Sequence, residues 1–472
     1  MTSEIGPAIW FPEADLVFHP DRTADRDIHP LRGLARFGPY SNAFFTSNPI
    51  QIATIAPHKE SEPLFGFMRE LDQSFKPRER SDYLPDWPGF ATVFGTRKTA
   101  AAKRCRVELE PDLDALLRDA EMPHLLLADR LVRAIQQIEA FRTDFDVLYI
   151  YLPQRWQPGF KGAADDFDLH DHLKAYTAAR GIPLQIVRED KAIAYSCRAS
   201  VMWRLGLALY AKAGGVPWKL ADVDPETAYI GISYSVRPVE SDRPRFVTCC
   251  SQVFDADGSG LEFVAYDTND VEVQRENPFL SRREMFRVIT RSMQLYRRRH
   301  GGVSPRRVMI HKSTEFKEEE ALGCFDALPT CEAIDLVQVV EDVGWRGVRW
   351  ERDRKDPEKQ VADGFPIKRG TLIGIGEREA LLWVHGAVVL NNRTYFQGSR
   401  STPQPIRLVR HAGHGSWDDT ARSVLALSKM NWNNDGLYDP LPVTMGYAKV
   451  LSRVLKRMNG LGSSAYHFRY FM

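Results

Sequence analysis

The sequence has few cysteines, no targeting segment and no long apolar run. Its six cysteines include no CxxC pair, and no cysteine–histidine cluster has zinc-ligand spacing, so we expect reduced, mostly buried thiols. The N-terminal stretch lacks the basic start and apolar core of a signal peptide. No apolar run approaches the ~18 residues that span a bilayer. We therefore predict a cytoplasmic protein with no membrane partner.

An excess of one charge sign is also missing. The 63 Lys and Arg residues nearly balance the 62 Asp and Glu residues, which leaves a formal net charge of +1. With this balance, the overall composition is not that of a basic nucleic-acid-binding protein. Nucleic-acid binding would therefore need a local basic face. The 472 residues contain no internal repeat. At roughly 150 residues per domain, this length predicts two or three domains.

Strands and helices alternate in the first half of the chain, after an irregular lead-in rich in proline, glycine and aromatics. Alternation of this kind predicts an α/β unit with a mainly parallel sheet and helices on its faces. The predicted strands are PIQIATIAP, FDVLYIYLP and LQIV, with PGFATVFG as a further candidate. The predicted helices are EPLFGFMRELDQSF, MPHLLLADRLVRAIQQIEAFR, a segment from about Asp168 to Arg180, and RASVMWRLGLALYAKAG.

The pattern changes after a glycine- and proline-rich break, GGVPWKLADVDPET. Three consecutive strands are predicted there, namely TAYIGISYSV, RFVTCCSQVF and LEFVAYD. A helix from about Ser281 to His300 follows, and then the strand RRVMIHKS, the helix TEFKEEEALGCF and the strand CEAIDLVQVV. Three antiparallel strands, a helix and a parallel strand form the opening order of the RNase H-like fold. The second half is therefore predicted to have that fold.

Four polar residues of the first half point to a binding site for an anion. His170 and Lys174 lie one helical turn apart, so their side chains share a helix face. Gln185 lies on the following strand, and Lys212 lies near the end of the next helix. Because ligands of open parallel sheets bind at the carboxyl ends of the strands, we expect these side chains to meet there. Two ammonium groups, an imidazole and an amide suit a compact dianion such as a terminal phosphate.

Two alternatives remain open for these residues. The first is an ordinary solvated helix face, and under either interpretation Asp171 and His172 are expected to be surface residues. The second is an enzyme or binder that acts on a phosphorylated small molecule. The absence of a glycine-rich phosphate loop counts against this second alternative.

The spacing His170-x3-Lys174-x10-Gln185, followed by Lys212 in AKAGGVPWKL, resembles the MID domain of prokaryotic Argonautes. Further segments resemble short prokaryotic Argonautes, from residue 27 to the last residue: RGLARFGPY, ENPFLSRREMF, VMIHKSTEF, LALSKMNWNND and YHFRYFM. The resemblance implies a Rossmann-like MID domain followed by an RNase H-like PIWI domain, without N-terminal and PAZ regions. It implies a lead-in over 1–45, a MID-like guide 5′-phosphate-binding domain over 46–215, and a PIWI-like domain over 216–472.

The resemblance also implies a role for each candidate residue. His170 would stack on or beside the first base of the guide, and Lys174, Gln185 and Lys212 would contact its 5′-phosphate. The family's C-terminal carboxylate, here that of Met472, would reach the same pocket and bind magnesium together with the phosphates. The apolar tail that leads to Met472 suits a packed end of the chain. A cation between carboxylate and phosphate is reasonable because magnesium prefers oxygen ligands.

The PIWI-like domain is expected to lack nuclease chemistry, because cutting members need several carboxylates around two metal ions. Ser233 stands where their first strand carries an aspartate. Lys312 and Ser313 stand where a later aspartate belongs, and a lysine there would repel metal ions. The alternative is an active guide-directed nuclease whose metal site is rebuilt from nearby acids, namely Asp242, Asp255 and Glu315.

One predicted helix, SRREMFRVITRSMQLYRRRH, carries seven arginines. Its predicted apolar face consists of Met285, Phe286, Ile289, Met293 and Tyr296. The resemblance implies that this helix lines or borders a channel for the guide and its target, where backbone contacts supply affinity. A solvated basic helix is the alternative.

Family members of this type bind a 5′-phosphorylated guide RNA and recognise complementary single-stranded DNA of plasmids or phage. A member that does not cleave must report recognition to a partner. In this group the partner carries an APAZ domain and an effector, often a sirtuin-like or TIR domain that consumes NAD. The resemblance thus implies a non-enzymatic chain in a heterodimer that acts in antiviral defence through NAD depletion, and it leaves open a higher oligomer on activation.

Overall fold

Two separate sheets organise the chain in the computed structural model, one in each half. The structure describes residues 5–162, 167–237, 245–260, 262–268, 270–274, 277–353, 355–390, 392–397, 402–414, 416–455, 457 and 465–472. Among these residues, no helix combines the length and the apolar character needed to cross a membrane.

The N-terminal segment is more ordered than the irregular lead-in that we predicted. It contains β1 (Ala8–Trp10), β2 (Leu16–Val17), β3 (Arg26–Asp27) and α1 (Pro30–Phe37). After β1, the carboxylate of Glu13 accepts from Arg369 Nε (2.9 Å) and pairs with Lys429 Nζ (2.7 Å), and both cations are almost completely buried. These buried ion pairs fasten the segment to the second half of the chain.

The first unit has a parallel sheet, as predicted. Its elements are β4 (Ile50–Ala56), α2 (Glu62–Glu70), α3 (Phe90–Phe94), β5 (Lys98–Ala100), β6 (Arg106–Glu108), α4 (Leu113–Asp119), α5 (Pro123–Glu139), β7 (Val147–Leu152), α6 (Leu169–Ala178), β8 (Leu184–Arg188) and α7 (Arg198–Lys212). The strand order is β5-β4-β7-β8, and β6 also pairs with β4. All pairings are parallel, so the helices cross over the faces of the sheet and bury both of them.

The candidate strand PGFATVFG is wrong, because this segment forms the short helix α3. Gly89 and Gly95 flank the helix with positive φ angles, and Gly95 is in the left-handed conformation that ends helices. Phe94 packs against Phe90, Trp87 and Tyr210. An apolar run of this length does not distinguish a buried strand from a buried helix.

The second unit starts after β9 (Lys219–Leu220), which joins the N-terminal pair β2–β3. It first contains β10 (Thr227–Arg237), β11 (Arg245–Asp255), β12 (Glu262–Thr268), β13 (Val271–Gln274), β14 (Asn277–Leu280), α8 (Arg282–Arg299), β15 (Arg307–Lys312), α9 (Glu318–Ala327) and β16 (Ala333–Val340). Further elements are β17 (Trp350–Arg352), β18 (Gln360–Ala362), β19 (Thr371–Gly376), β20 (Glu379–Leu382), β21 (Val388–Leu390), β22 (Arg393–Tyr395), β23 (Ile406–Ala412), α10 (Trp417–Leu427), α11 (Val443–Leu455) and β24 (Ala465–His467).

The ten-stranded sheet of this unit confirms the predicted RNase H-like order. Its strands run β1-β19-β20-β23-β16-β15-β10-β11-β12-β24. The pairs β10–β11 and β11–β12 are antiparallel, whereas β15 pairs in parallel with both β10 and β16. The meander and the βαβ crossover therefore share one sheet, whose edges are β1 and β24.

The two units share a small hydrophobic core beneath the candidate site. Ala175 and Ala178 of α6 pack there against Phe263 of β12, Leu451 of α11 and Phe471 of the tail. The tail reaches this place because β24 pairs antiparallel with β12 at the edge of the sheet. The prediction that the aromatic tail is packed is confirmed, since Phe468 and Phe471 are buried.

Two helical glycines give a matched test of the packing around α7. A Cβ on Gly206 would approach the Trp87 ring to 2.6 Å, whereas a Cβ on Gly66 of α2 would meet only Arg69 Nη2 at 3.8 Å. We expect Gly206→Ala to lower the free energy of unfolding by about 1–3 kcal/mol, because the buried indole leaves no space. Gly66→Ala should raise it by up to about 1 kcal/mol. Urea denaturation measures both, and a stabilised Gly206→Ala protein would contradict this packing.

Candidate nucleic-acid-binding site

Helix α6 is buried on two sides because it lies between the two units. Its cap residue Asp168 accepts a hydrogen bond from the Asp171 backbone N–H at 3.2 Å. Leu169 and Leu173 face the core of the first unit, whereas the next turns face the shared core. Lys174 lies between these two faces and is only 4% exposed. The contact between the units therefore removes this lysine from water.

Lys174 contacts the last residues of the chain. Its Nζ donates to the Phe471 carbonyl oxygen at 3.0 Å and to the main-chain oxygen of Met472. Burial lowers the pKa of Lys174 to about 7, with Asp171 raising it and Arg453 lowering it further. The resemblance to Argonautes implied that Met472 reaches the site of this lysine, and the two residues are in contact.

Lys212 and Gln185 form the second half of the pocket. Lys212 is the last residue of α7 and is 2% exposed. Its Nζ donates to Gln185 Oε1 at 2.5 Å, and Gln185 Nε2 donates to the Ile186 carbonyl oxygen at 2.9 Å, which orients the amide. Burial lowers the pKa of Lys212 well below its usual range, and the nearby Lys174 ammonium lowers it further.

The pocket does not lie at the carboxyl ends of the strands, where we expected it. Gln185 is near the start of β8, and Lys212 is at the carboxyl end of α7. Helices of a parallel sheet run opposite to its strands, so helix ends and strand starts share one edge. The dipole at a helix carboxyl end favours cations. An anion can therefore bind here only because the lysines reverse the local charge.

His170 lies one turn from Lys174 and is the most exposed of the four predicted side chains of the lysine pocket. Its side chain is 49% exposed, and Nδ1 lies 3.2 Å from Asp171 Oδ1. Burial and the Lys174 ammonium lower the pKa of His170, while Asp171 raises it. Asp171 is itself buried, so the prediction of a surface residue is wrong: the packing of α11 against α6 covers it.

Two sets of oxygen and nitrogen atoms at the pocket could hold a cation. One consists of the main-chain oxygens of Phe471 and Met472, which lie against Lys174. The other consists of ligand atoms of Asp168, His170 and Asp171, which lie within 4.8 Å of one another. The second set was missed in the sequence, although its three residues are nearly consecutive.

Two arginines of α11 and its end were also missed. Arg453 lowers the pKa of Lys174 electrostatically, and Arg453 and Arg457 lower the pKa of Asp171. Their spacing of four residues in LSRVLKR places them on one helix face. The spacing does not indicate which helix the two arginines approach, because their neighbours depend on how the two units pack.

Comparisons with known proteins bear on the fold of the chain. No protein-family model and no curated protein matches the sequence. Among solved structures, the chain is similar to Clostridium butyricum Argonaute bound to a guide DNA and a 19-mer target DNA (TM-score 0.61, 13% identity, 96% of this chain and 53% of that chain). It is also similar to Aquifex aeolicus Argonaute (TM-score 0.61, 14% identity, 99% and 57%) and to that protein with externally bound siRNA (TM-score 0.63, 14% identity, 98% and 56%).

The chain has the MID–PIWI fold of Argonaute proteins. It spans slightly more than half the length of the Argonautes that it matches. At 13–14% identity, the likeness concerns the fold. The first unit is therefore the MID half, and the second unit, with its RNase H-like sheet, is the PIWI half.

Two polar side chains of the PIWI half face α11 from neighbouring strands. Ser233 Oγ of β10 donates to the Ala448 carbonyl oxygen at 3.0 Å. His311 Nδ1 of β15 lies 2.8 Å from Thr444 Oγ1, and burial lowers the pKa of His311 to about 4. A hydroxyl and a neutral imidazole thus occupy this face of the sheet.

Lys312, which we placed with Ser313 at the position of a later aspartate, lies on the sheet face opposite Ser233. Successive side chains of a strand alternate between faces, so Lys312 and His311 point in opposite directions. Lys312 Nζ contacts both carboxylate oxygens of Glu320 at 2.6 and 2.5 Å, and both side chains are completely buried. The lysine is neutralised in the core and exerts no open positive charge on the Ser233 face.

The acids that were proposed to rebuild a metal site are engaged elsewhere where the structure describes them. Glu315 pairs with Lys317 at 2.5 Å, and Asp255 pairs with His300 at 2.9 Å. Asp242 lies outside the described residues. The group of Asp168, His170 and Asp171 in the MID half is where potential metal ligands converge among the described residues.

The arginine-rich helix α8 packs on the sheet face opposite α11. Met285, Ile289 and Met293 contact the core on that side, as predicted, but Phe286 is 40% exposed and is not part of the apolar face. Arg282 pairs with Asp326 at 2.6 Å. The helix therefore does not share a face with the lysine pocket, and its role beside nucleic acid stays a prediction.

Removing one buried ammonium group should stabilise the ligand-free protein. We expect Lys212→Met to raise the free energy of unfolding at pH 7 by about 1–3 kcal/mol, since the half-buried Gln185 can turn to water. Because the folded chain lowers the pKa of Lys212 from 10.5, the unfolded chain binds more protons in the range between that lowered pKa and pH 10.5. Stability of the natural protein should therefore rise with pH towards 10.5, and less so in the variant.

The matched control is Lys191→Met, since the Lys191 side chain is 70% exposed. It should leave both the stability and its pH dependence nearly unchanged. Chemical denaturation at several pH values measures these quantities. A destabilised Lys212→Met protein would show that burial of the Lys212 ammonium does not lower the stability of the ligand-free protein.

Proposed function

We propose that the MID half binds the 5′-phosphate of a guide strand between Lys174 and Lys212. The observation that carries this proposal is the burial of two ammonium groups, 4% and 2% exposed, of which the Lys174 ammonium is near enough to lower the pKa of Lys212. Neither lysine has an ion pair with a side-chain carboxylate in the described part of the chain. A phosphate dianion supplies the missing counter-charge.

The stereochemistry of the pocket also favours a phosphate. Charge-assisted hydrogen bonds from ammonium groups to phosphate oxygens are short and strong. Gln185 is held by Lys212 and by the Ile186 carbonyl oxygen, so a phosphate would exchange one partner of Lys212 without disordering the amide. His170 lies at the open side, where its half-exposed ring can stack beside the first base of the guide.

Magnesium is the cofactor that fits the tail. Met472 offers oxygen to a hard cation, and the remaining ligands would come from the guide phosphates. When bound, the ion would reduce repulsion between the phosphates and a terminal carboxylate. Lys174 contacts the same Met472 oxygen and would hold the tail in place for this role.

The bound guide, most simply an RNA, would direct recognition of complementary single-stranded DNA. Solved relatives of this fold include one with guide DNA and target DNA and one with siRNA, which supports nucleic-acid partners for the fold. We propose that the chain does not cleave the target. This rests on Ser233 at the position of the first catalytic aspartate and on the engagement of Glu315 and Asp255 in other ion pairs.

A chain that recognises without cutting needs a partner that responds. The resemblance to short Argonautes suggests an APAZ-containing protein with a sirtuin-like or TIR effector that consumes NAD. We therefore propose that this chain acts in prokaryotic defence against plasmids or phage as the recognition subunit of a heterodimer. Target binding would switch on the partner's NAD consumption.

The first test of this function compares a short RNA with a 5′-phosphate and the same RNA with a 5′-hydroxyl. At fixed salt with magnesium, the natural protein should prefer the phosphorylated RNA about a hundredfold or more, because several charge-assisted hydrogen bonds of roughly 1.5–3 kcal/mol are lost with the phosphate. The double variant Lys174→Ala/Lys212→Ala should lose this preference. Fluorescence anisotropy measures the dissociation constants.

The exposed lysines Lys103 and Lys191 supply a control for net charge. Their double alanine variant should keep the full preference, although its affinity for both RNAs falls slightly. Equal binding of the two RNAs by the natural protein would remove the pocket from the function. Binding of a phosphorylated metabolite in its place would then favour the small-molecule alternative.

The second test concerns cleavage. The guide-loaded chain should leave an end-labelled matched DNA intact with magnesium or manganese, because the described PIWI half offers no carboxylate cluster for two metal ions. Addition of the partner effector should produce NAD loss only with matched target. Guide-dependent DNA products from the chain alone would instead support the rearranged nuclease, and gel analysis distinguishes the two.

A further inference from the structure

A polar crevice opens at the carboxyl ends of β15 and β16, in the PIWI half. Its volume is about 680 Å3, and the β13–β14 hairpin and β23 contribute its other walls. Carboxyl ends of parallel strands are where α/β folds commonly bind ligands. The proposed guide-binding pocket lies in the MID half, so it gives this crevice no role.

The crevice is lined mainly by uncharged hydrogen-bonding groups. These are the amides of Gln274, Asn277 and Gln338 and the hydroxyls of Ser313 and Thr314. Amides offer both donors and acceptors, and hydroxyls can serve as either. This set suits the edge of a nucleobase, which alternates donors and acceptors.

The two charged residues of the lining have partners outside it. Glu315 pairs with Lys317 at 2.5 Å, and Arg407 lies 3.6 Å from Glu379. The crevice is therefore close to electrically neutral, unlike the lysine pocket. A phosphate would gain little here, whereas an uncharged base would meet no repulsion.

The segments that line the crevice are linked through one buried ion pair. Glu320, paired with the buried Lys312, also accepts from the Leu280 N–H (3.0 Å) and the Lys317 N–H (3.1 Å). Lys312 Nζ donates to the Glu315 carbonyl oxygen at 3.0 Å. These bonds tie the hairpin, β15 and α9 together around one ion pair, so the polar groups above it are held in place.

One amide of the crevice lining is fixed by hydrogen bonds, and one hydroxyl of the lining lacks a partner among the described residues. Gln338 Nε2 donates to the Ser313 carbonyl oxygen at 3.1 Å, and its Oε1 lies 3.2 Å from His411 Nε2, which fixes the amide. Thr314 Oγ1 is buried and has no hydrogen-bond partner among the described residues. A buried hydroxyl without a partner is unusual, and Thr314 would gain a hydrogen bond if its side chain turned towards a group bound in the crevice.

We propose that this crevice receives a single unpaired nucleobase from a nucleic-acid strand bound to the PIWI half. The proposal rests on the proposed function in one respect, namely that a strand lies on this domain. The volume of the crevice falls within the range of small-ligand sites. The hydrogen bonds of Asn277, Ser313 and Thr314 would read the edge of the base, and the sugar and phosphate would remain in solvent.

The test is an abasic scan of a matched DNA target with the guide-loaded protein. Each target nucleotide in turn loses its base, and affinity is measured for the natural protein and for the double variant Asn277→Leu/Thr314→Val. Removal of the base at one position, or at either of two adjacent positions, should weaken binding to the natural protein about tenfold. This loss is expected for two or three neutral hydrogen bonds. The double variant should bind the intact target about tenfold more weakly and show no loss at that position.

The control is Thr99→Val/Gln360→Leu, which removes an exposed hydroxyl and an exposed amide away from the crevice. It should reproduce the natural scan. A scan in which every position responds equally in the natural protein and the double variant overturns the proposal. Variant-sensitive binding of free nucleosides with a flat scan overturns it as well, because the ligand is then a free metabolite.

The preference for a 5′-phosphate, measured on the same preparations, separates this inference from the proposed function. A flat scan with the phosphate preference intact removes only the base crevice. A position-dependent scan without any phosphate preference removes the guide pocket and retains the crevice.

Discussion

The ammonium groups of Lys174 and Lys212 are buried together where the MID and PIWI halves meet, and the site depends on this costly arrangement. Burial opposes their charges, so the pKa of each falls. The ligand-free chain offsets part of this cost with main-chain oxygens of Phe471 and Met472 and with the Gln185 amide. The rest of the cost remains in the ligand-free fold.

The interface between the halves creates this burial. Helix α6 belongs to the MID sheet by sequence, but its second face packs against α11, β12 and the tail of the PIWI half. The tail in turn is placed by β24, which pairs at the edge of the PIWI sheet. Helix α6 and the tail therefore connect the lysine pocket directly to the PIWI half.

Much of the fold was predictable because its elements have strong local signals. Val147–Leu152 is a continuous apolar run and forms a buried strand, and Arg282–Arg299 shows helical periodicity and forms a helix. The prediction failed at Phe90–Phe94, where five apolar and small residues fit either structure. It also failed at Asp171, whose burial results from contact with α11 rather than from its own helix.

Local sequence was enough to predict the residue types and spacing of the candidate site, because His170 and Lys174 share a helix face through helix geometry alone. It was also enough to predict the order of strands and helices that implies the two sheets. Long-range packing, by contrast, puts the lysine pocket at the start of β8 rather than at strand ends, and turns Lys312 away from Ser233 towards Glu320. Those outcomes depend on which elements pack together over long sequence separations. A local sequence pattern does not specify the element against which a given helix or strand face packs.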